Sequence, residues 1–280
     1  MMQFRDRTIK FDTPKVMGIV NVTPDSFSDG GKYNSLESAL RQSANMVQQG
    51  ATFIDIGGES TRPGASEVSL QEELDRVIPV IERICSELDT VVSVDTSKPQ
   101  VMNAAVEAGA ALINDVRALS LPNALSTAAN LAQQYNVPCC IMHMKGTPTT
   151  MQNAPSYKNV IDEITAFFSA KIEQLTSAGF AYKQIMIDPG FGFGKSLDHN
   201  YEILKNFGQF TQFDLPVLAG MSRKSMIGQL LERDIHERLP GDIAAHTIAA
   251  MFGASIVRVH DVQQVVDAMK VVEKVSRTQQ

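Results

Sequence analysis

The chain has 280 residues, of which 44% are hydrophobic and 20% charged, a mixture that can bury a substantial core. Its formal net charge of −6 argues against a nucleic-acid partner, because proteins that bind nucleic acids usually carry a basic face. Charges are scattered through the first fifteen residues, and no run approaches the roughly 18 apolar residues that a membrane span needs. We therefore expect a cytoplasmic protein with no nucleic-acid and no membrane partner.

The chain has three cysteines, Cys85, Cys139 and Cys140, and two of them are adjacent within an apolar stretch. Their spacing is typical neither of a metal site nor of a disulfide framework. We interpret them as reduced core residues, as expected in a cytosol.

Short apolar, β-branched runs alternate along the chain with longer segments of helical period. Glycines at 50, 109 and 179 stand where the preceding helices should stop, and Pro99 suits the first turn of its helix. The predicted strands are Val16–Asn21, Thr52–Gly57, Val91–Asp95, Ala111–Asn114, Pro138–His143, Gln184–Asp188, Leu215–Ala219 and Ser255–Val259. The predicted helices cover residues 35–49, 70–88, 98–108, 121–135, 158–178, 199–207, 241–252 and 262–275.

Eight strands alternating with eight helices is the count of a closed (β/α)8 TIM barrel, and this is the α/β fold that we predict. A doubly wound open sheet is the alternative, and it would bind its ligand at a topological switch point. Residues 3–12 precede the first strand, and we expect them to form a short hairpin that closes the barrel bottom. No linker or low-complexity run divides the chain, so residues 1–280 are predicted to form a single domain.

Nearly every predicted strand ends on a polar or ionisable residue. A single polar residue at a strand end is expected by chance. Eight polar strand ends on one face favour a functional site, because the loops at the carboxyl ends of the strands build the active sites of barrel enzymes. In chain order, the residues at or directly after the strand ends are Asn21, Gly57 to Glu59, Asp95, Asn114 and Asp115, His143, Asp188, Gly220 to Ser222, and His260.

The loops that follow four of these strands are rich in glycine and proline, which allow a backbone to approach a ligand closely. The segment DPGFGFGK matches neither a Walker loop nor a GxGxxG fingerprint. In it Phe191 and Phe193 alternate with glycines, so either both rings cap the barrel top as packing or they stack on a flat ligand.

The charged residues of this face divide into two groups. Asp95, Asn114 and Asp188 present acceptors and an amide, a set that suits a flat heterocycle with several N–H donors. Basic residues on the same face suit a phosphorylated substrate, and one of them, Arg258, lies inside an apolar strand, where an unpaired charge would be costly. The basic group consists of Arg62, Lys224, Arg258 and His260.

A series of segments in this order resembles the signatures of the dihydropteroate synthases, the pterin-binding TIM-barrel family, over nearly the whole chain. The segments are MGIVNVTPDSFSDGG (17–31), GGESTRPG (57–64), SVDTSKP (93–99), LINDV (112–116), IMHMKGTP (141–148), IDPGFGFGK (187–195), GMSRKSMIG (220–228) and RVHDV (258–262).

The resemblance implies a transferase that joins 4-aminobenzoate to (7,8-dihydropterin-6-yl)methyl diphosphate and releases diphosphate, a step of folate biosynthesis. It implies Mg²⁺ on the leaving diphosphate, small-molecule substrates as the ligands, sensitivity of the family to sulfonamides, and often a homodimer. The C–O bond can break before the amine attacks, because the electron-rich dihydropterin delocalises the resulting cation.

The resemblance also assigns roles position by position. Asn21 matches the Mg²⁺ contact, and Asn21, Arg62, Arg258 and His260 match the diphosphate site. The pterin ring would be held by Asp95, Asn114, Asp188 and Lys224. The 4-aminobenzoate site would include Phe27, Thr61, Arg62, Pro63, Phe191 and Ser222. The residues expected to take part in catalysis are Asp95, Lys224 and Arg62.

Two other functions remain open from the residues. Another pterin-binding barrel, such as a methyltetrahydrofolate–corrinoid methyltransferase, would share the pterin acceptors without a diphosphate clamp. A catalytically silent pterin- or folate-binding protein would also keep them. The combination of Asn21, Arg258 and His260 argues against both, because a leaving-group site has no use without group transfer.

Overall fold

Eight parallel strands form a barrel in the computed structural model, which describes residues 1–23, 32–60, 67–146, 151 and 155–277. A short antiparallel pair, β1 (Met2–Phe4) and β2 (Arg7–Ile9), precedes them. The barrel strands are β3 (Lys15–Asn21), β4 (Phe53–Gly57), β5 (Val91–Asp95), β6 (Leu112–Asp115), β7 (Cys139–Met142), β8 (Ile185–Asp188), β9 (Leu218–Ala219) and β10 (Ile256–Val259). The helices within the described ranges are α1 (Lys32–Gln48), α2 (Leu70–Glu87), α3 (Pro99–Glu107), α4 (Ala124–Tyr135), α5 (Val160–Ser177), α6 (Leu197–Lys205), α7 (Ser225–Leu231), α8 (Leu239–Met251) and α9 (Val262–Arg277).

The strand order closes the sheet on itself. It runs β8-β7-β6-β5-β4-β3-β10-β9, and a parallel bridge between Ile187 and Val217 joins the two ends. The last strand to be made, β10, pairs with the first barrel strand through Val257 opposite Val16. The predicted TIM barrel is therefore confirmed, and the open doubly wound sheet is excluded.

All eight predicted strands are present, with ends that differ from prediction by up to three residues. The largest difference is in β9, which begins at Leu218 rather than at Leu215. Pro216 has no N–H to donate to a sheet, and its carbonyl instead accepts the amide of Ile187. The short helix α7 was not predicted, since its seven residues are too few for a helical period to show.

Continuous burial explains why these short strands form a parallel barrel. Every residue of β4 is buried, as expected of strands covered on both faces. Helix α2 covers this part of the barrel with Val77, Ile81 and Ile84, spaced at the helical period. Cys139 and Cys140 are buried on β7, and all three cysteines are free thiols, as predicted.

The hairpin of β1 and β2 closes the amino-terminal end of the barrel, as the sequence predicted. Phe4 is fully buried there, with its ring 5.2 Å from that of Phe53 and 6.5 Å from that of Phe11. It belongs to an apolar cluster contributed by the beginnings of the strands, which includes Met17 and Leu112. Among the described residues, none of the helices combines the length and apolar character required to cross a bilayer.

We expect Phe4→Ala to lower the free energy of unfolding by about 3–5 kcal/mol, because it removes a buried ring and leaves a cavity. Ligand binding should be unaffected, since Phe4 packs at the end of the barrel opposite the carboxyl ends of the strands. Urea denaturation measures the loss of stability, and Thr8→Ala on the exposed side of β2 is the matched control, with an expected change below about 0.5 kcal/mol. Equal stability of the two variants would show that the hairpin is not part of the barrel core.

Candidate functional site at the carboxyl ends of the strands

Four neighbouring strands end in one row across the barrel top, and three of them place a polar side chain there. The strand register places Asn21 beside Gly57, Gly57 beside Asp95, and Asp95 beside Asn114. Asp188 ends β8 and is paired with Met142 of β7. The strand-end residues predicted from the sequence therefore lie together at one end of the barrel, as its geometry requires.

Arg258 lies between two carboxylates inside the barrel. Its Nε donates to Oδ2 of Asp55 at 2.6 Å, and a terminal guanidinium nitrogen donates to Oδ2 of Asp95 at 2.8 Å. Asp55 is fully buried, and its Oδ2 also accepts the side-chain amide of Asn114 at 3.2 Å. The charge of Arg258 is thus paired by contacts that the sequence could not specify.

The orientation of the Asn114 side chain follows from this contact. An ionised carboxylate only accepts hydrogen bonds, so the NH₂ group of Asn114 must face Asp55. The amide oxygen of Asn114 is then left as an acceptor for a ligand. Asn114 is predicted to hold a heterocycle, and in this orientation its amide oxygen can accept a hydrogen bond from an N–H group of the ligand.

Burial affects the pKa of four ionisable groups at this end of the barrel: Asp95, Lys224, Asp188 and Arg258. It raises the pKa of Asp95 to about 7, although Arg258 acts in the opposite direction. It lowers the pKa of Lys224 to about 8, while the nearby Asp188 offsets part of that effect. The pKa of Asp188 is raised, again chiefly by burial. For Arg258 burial alone would lower the pKa, but Asp55 and Asp95 more than compensate and raise it.

The loop between β8 and α6 is built around a buried lysine. The Nζ of Lys195 donates to the carbonyls of Gly190, Phe193 and His143 at 2.8–3.1 Å. Gly190 and Gly194 have positive φ, and a side chain at either would lie 2.0–2.2 Å from a backbone oxygen of the preceding loop. Only glycine permits this approach, which fixes the position of the loop over the strand ends.

The two phenylalanines of this loop have different environments. Phe191 is fully buried and its ring is stacked on Phe207, with centroids 6.2 Å apart. Phe193 is half-buried, and the Nζ of Lys224 lies 4.6 Å from its ring centre. Lys224 also donates to the carbonyl of Phe191 at 2.6 Å. The Phe191 ring has no exposed surface in this structure, and its contact with 4-aminobenzoate stays a prediction.

The positions of the remaining predicted residues fall into two groups. The Ser222 hydroxyl lies 3.0 Å from Nδ1 of His260, so a residue predicted for the 4-aminobenzoate site contacts one predicted for the diphosphate. Asn21 ends β3 with its amide oxygen 3.8 Å from the position that a side chain at Gly57 would occupy. Four predicted site residues lie outside the described residues: Phe27, Thr61, Arg62 and Pro63.

The donors present fit Mg²⁺ only as an ion shared with a ligand. Mg²⁺ usually takes one or two protein oxygens and completes its shell with phosphate oxygens and water. Within the described part of the chain, no group of three or more His, Cys, Asp or Glu side chains is placed so that it could hold a metal ion. Asn21 offers one hard oxygen ligand at the barrel top, which suits an ion that arrives with a diphosphate.

Sequence reasoning missed two residues of this site. Asp55 lies in the middle of an apolar strand. The one sequence feature that indicates it is a charged residue in a strand whose two faces are both expected to be buried. Lys195 ends the GFGFGK segment, where we considered only the glycines and the aromatic rings. A search for charged residues within or directly after apolar strands would have found both.

The arrangement can bind a flat, N–H-rich heterocycle through carboxylates and an amide, with cations beside it for an anionic group. The fold and this site define the protein as a (β/α)8-barrel enzyme whose ligand site lies at the carboxyl ends of its strands. The family model described as pterin binding enzyme matches residues 17–260.

Two curated relatives agree with this family. Dihydropteroate synthase of Escherichia coli (strain K12) is 55% identical over 260 residues, covering 93% of this chain and 91% of that protein. The corresponding protein of Haemophilus influenzae is 50% identical over 266 residues, with 95% of each chain covered.

Solved structures with the same fold include two bound to small molecules. The Yersinia pestis dihydropteroate synthase with a sulfonamide drug complex superposes with a TM-score of 0.93 at 51% identity, over 99% of each chain. The Xanthomonas albilineans dihydropteroate synthase with 4-aminobenzoic acid gives a TM-score of 0.89 at 48% identity, covering 96% of this chain and 95% of the other. The chain belongs to the pterin-binding enzyme family, and within it to the dihydropteroate synthases.

We expect Asp95→Asn to stabilise the free protein above about pH 7. The folded-state pKa of Asp95, about 7, exceeds the ordinary value of 3.8 for an aspartate, so folding favours the protonated carboxyl. Stability contributed by this group is therefore lost as pH rises from about 4 to 7. The neutral amide avoids that loss, so the stability gain over wild type should be absent at pH 4 and present at pH 8.

Thermal unfolding at a series of pH values measures this difference. Asp89→Asn removes an acid that is 92% exposed, and it should leave the pH dependence of wild type unchanged. A destabilised Asp95→Asn variant at pH 8 would mean that the pairing with Arg258 outweighs the cost of burying the carboxylate.

Proposed function

We propose that the protein condenses (7,8-dihydropterin-6-yl)methyl diphosphate with 4-aminobenzoate, which gives 7,8-dihydropteroate and diphosphate. The observation that carries this proposal is the convergence of Asp95, Asn114, Asp188, Lys224 and Arg258 at one end of the barrel. Its membership of the dihydropteroate synthases gives the reaction, and the geometry of these side chains supports it.

The pterin ring is assigned to the acceptor side of the site. Asp188 and Asp95 accept from the N–H groups of the pterin, and the amide oxygen of Asn114 adds a third acceptor. Oδ1 of Asp188 already accepts the amide of Gly190 at 2.7 Å, which fixes the carboxylate relative to the loop. Lys224, close to Asp188, supplies a donor for the ring carbonyl.

The diphosphate is assigned to the cationic side. Arg258, His260 and Arg62 are the residues proposed to contact its oxygens, and Asn21 is the proposed protein ligand of Mg²⁺. When bound, Mg²⁺ would neutralise charge on the leaving diphosphate. Arg258 can serve both groups, since Asp55 and Asp95 hold its guanidinium at the boundary between them.

The proposed reaction is SN1-like. The C–O bond to the diphosphate breaks first, and the resulting cation is delocalised into the dihydropterin. Ionised Asp95 opposes the positive charge that grows on the ring, and its charge is fixed in place before the reaction begins. The amine of 4-aminobenzoate is then a sufficient nucleophile without a strong base, so positioning accounts for much of the rate.

The second substrate is assigned to the outer part of the site. The Xanthomonas albilineans relative is described with 4-aminobenzoic acid and the Yersinia pestis relative with a sulfonamide, and we propose that this chain binds both kinds of ligand. The proposed contacts are Phe27, Thr61, Arg62, Pro63 and Ser222, together with the loop that carries Phe191.

The function is tested by measuring diphosphate release from the pterin diphosphate with and without 4-aminobenzoate. We expect release to depend on the amine and on Mg²⁺. Asp95→Asn should lower kcat by about a hundredfold, because it removes an interaction made mainly in the transition state.

Pterin affinity separates this role from a binding defect. It should change by less than about threefold in Asp95→Asn if the carboxylate acts mainly on the developing cation. Full activity of the variant would contradict the assignment of Asp95, and release without 4-aminobenzoate would contradict the transfer reaction itself.

We also propose that the protein is a homodimer formed through α7 and α8. Five exposed large apolar side chains lie on or directly after these neighbouring helices: Leu230, Leu231, Ile248, Met251 and Phe252. Several large apolar side chains exposed on neighbouring helices are typical of a protein–protein interface. A second copy of the same face is the occupant that a symmetric dimer supplies.

We expect Met251→Asp to shift the protein from dimer to monomer, because a charge in an apolar interface is not compensated. Light scattering coupled to size exclusion should give twice the 30.6 kDa chain mass for wild type and a lower mass for the variant. Ala170→Asp, an equivalent change on the exposed side of α5, should have no effect. A wild-type mass of one chain would rule out the dimer.

A further inference from the structure

The hydroxyl of Ser222 connects His260 to a buried carboxylate on α8. Ser222 Oγ lies 3.3 Å from Oδ2 of Asp242 and 3.0 Å from Nδ1 of His260. It also accepts the backbone amide of His260 at 3.2 Å. Asp242 and Ser222 are both buried, at 2% and 8% exposure.

Counting protons assigns the direction of each hydrogen bond. Ionised Asp242 can only accept, so the single hydroxyl proton of Ser222 is donated to it. The Ser222 oxygen then accepts the backbone N–H of His260, and it has no further proton to give. Nδ1 of His260 must therefore carry a proton of its own, which it donates to the Ser222 oxygen.

We propose that Asp242 is a positioning residue that acts through Ser222 to hold His260 with its proton on Nδ1. This inference rests on the proposed function for the assignment of His260 to the diphosphate, but the tautomer itself is a property of the free protein. In this arrangement the contact of Nδ1–H with Ser222 fixes the orientation of the imidazole ring, and Nε2 can donate to a diphosphate oxygen when the ring carries a second proton.

Burial raises the pKa of Asp242 to about 6, so the carboxylate is ionised and only accepts hydrogen bonds above that pH. The same Oδ2 accepts the amide of Arg223 at 2.8 Å, and the residue lies in the first turn of α8, where the helix dipole favours a negative charge. The Arg223 side chain pairs with Asp261, the residue after His260, with its terminal nitrogen 3.0 Å from one carboxylate oxygen. These contacts hold the loop after β9 against the end of β10. The hydrogen-bonded series Asp242–Ser222–His260, which we call the relay, is therefore held at both ends.

His246 provides an internal reference for the tautomer. Its Nε2 accepts the backbone amide of Met221 at 3.3 Å, and its Nδ1 lies 2.7 Å from the carbonyl of Asp242. A backbone amide only donates and a carbonyl only accepts, so His246 is also protonated on Nδ1. Side-chain substitution at Asp242 leaves both of these backbone partners in place.

The ¹⁵N chemical shifts of the imidazole nitrogens test the relay in the free protein. At a pH where His260 is neutral, we expect wild type to show the Nδ1–H form for both His260 and His246, with His260→Gln to assign the signals. In Asp242→Leu the Ser222 hydroxyl is released and can donate to Nδ1, so His260 should change to the Nε2–H form while His246 does not. Asp242→Asn should keep the wild-type tautomer, since its amide oxygen must face the amide of Arg223.

A wild-type His260 in the neutral Nε2–H form would overturn the proposal without any variant. An unchanged tautomer in folded Asp242→Leu would overturn it as well. If that variant does not fold, Ser222→Ala removes only the hydroxyl, and loss of the fixed Nδ1–H form there supports the relay whereas its retention contradicts it.

Kinetics separate the relay from the proposed function. Asp242→Leu should raise KM for the pterin diphosphate about tenfold and leave the affinity for a pterin without phosphate unchanged, whereas Asp242→Asn restores wild-type KM. Equal losses for both ligands would show a merely structural role and overturn the relay. A tautomer that changes as expected with no change in KM would support the relay and overturn only the assignment of His260 to the diphosphate.

Discussion

Arg258 and its two carboxylates define the electrostatics of the barrel interior. Asp55 and Asp95 come from adjacent strands and point to the same guanidinium, so neither carboxylate is buried without a countercharge. Removing the shared cation of such a buried group commonly costs about 3–5 kcal/mol, because uncompensated carboxylates are left behind. The orientation of Asn114 and the ionisation of Asp95 both depend on this cation.

The cluster as a whole keeps an excess of negative charge. When all are ionised, the carboxylates of Asp55, Asp95 and Asp188 stand against the cations of Arg258 and Lys224. A site of this kind is better matched to a ligand that becomes positive than to a neutral one. Burial raises the pKa of Asp95 and the neighbouring Asp55 adds to this effect, so the free protein favours the protonated carboxyl. Burying the Asp95 carboxylate therefore lowers the stability of the free protein, although its charge is useful only when substrate reacts.

Periodicity and strand ends were sufficient to predict the barrel and most of the polar row. Asn21, Asp95, Asn114 and Asp188 could be found because each directly ends an apolar run, and parallel strands bring such ends together. Asp55 could not be found in this way, because it lies within its strand and its partner is 203 residues away along the chain. The sequence did indicate that Arg258 needs a partner, but not which residue provides it.

Other details depend on backbone conformation or on distant packing. The Phe-Gly-Phe alternation does not show which ring turns inward, and here the positive φ values of the glycines direct Phe191 into the core. Asp242 has the pattern of an ordinary acid in the first turn of a helix. Its contacts with the Ser222 hydroxyl and the Arg223 amide distinguish it, and the Ser222 contact joins α8 to a residue 20 positions earlier in the chain.

The position of β10 has a consequence for synthesis on the ribosome. This strand fits between β3 and β9 and pairs Val257 with Val16, so the barrel cannot close until nearly the whole chain has emerged. Such distant pairings slow folding, because a long loop must be closed before its contacts form. Arg258 arrives with this strand. The carboxylates that it neutralises therefore remain solvated in the nascent chain, and the ligand site acquires its charge balance in the same step that seals the barrel.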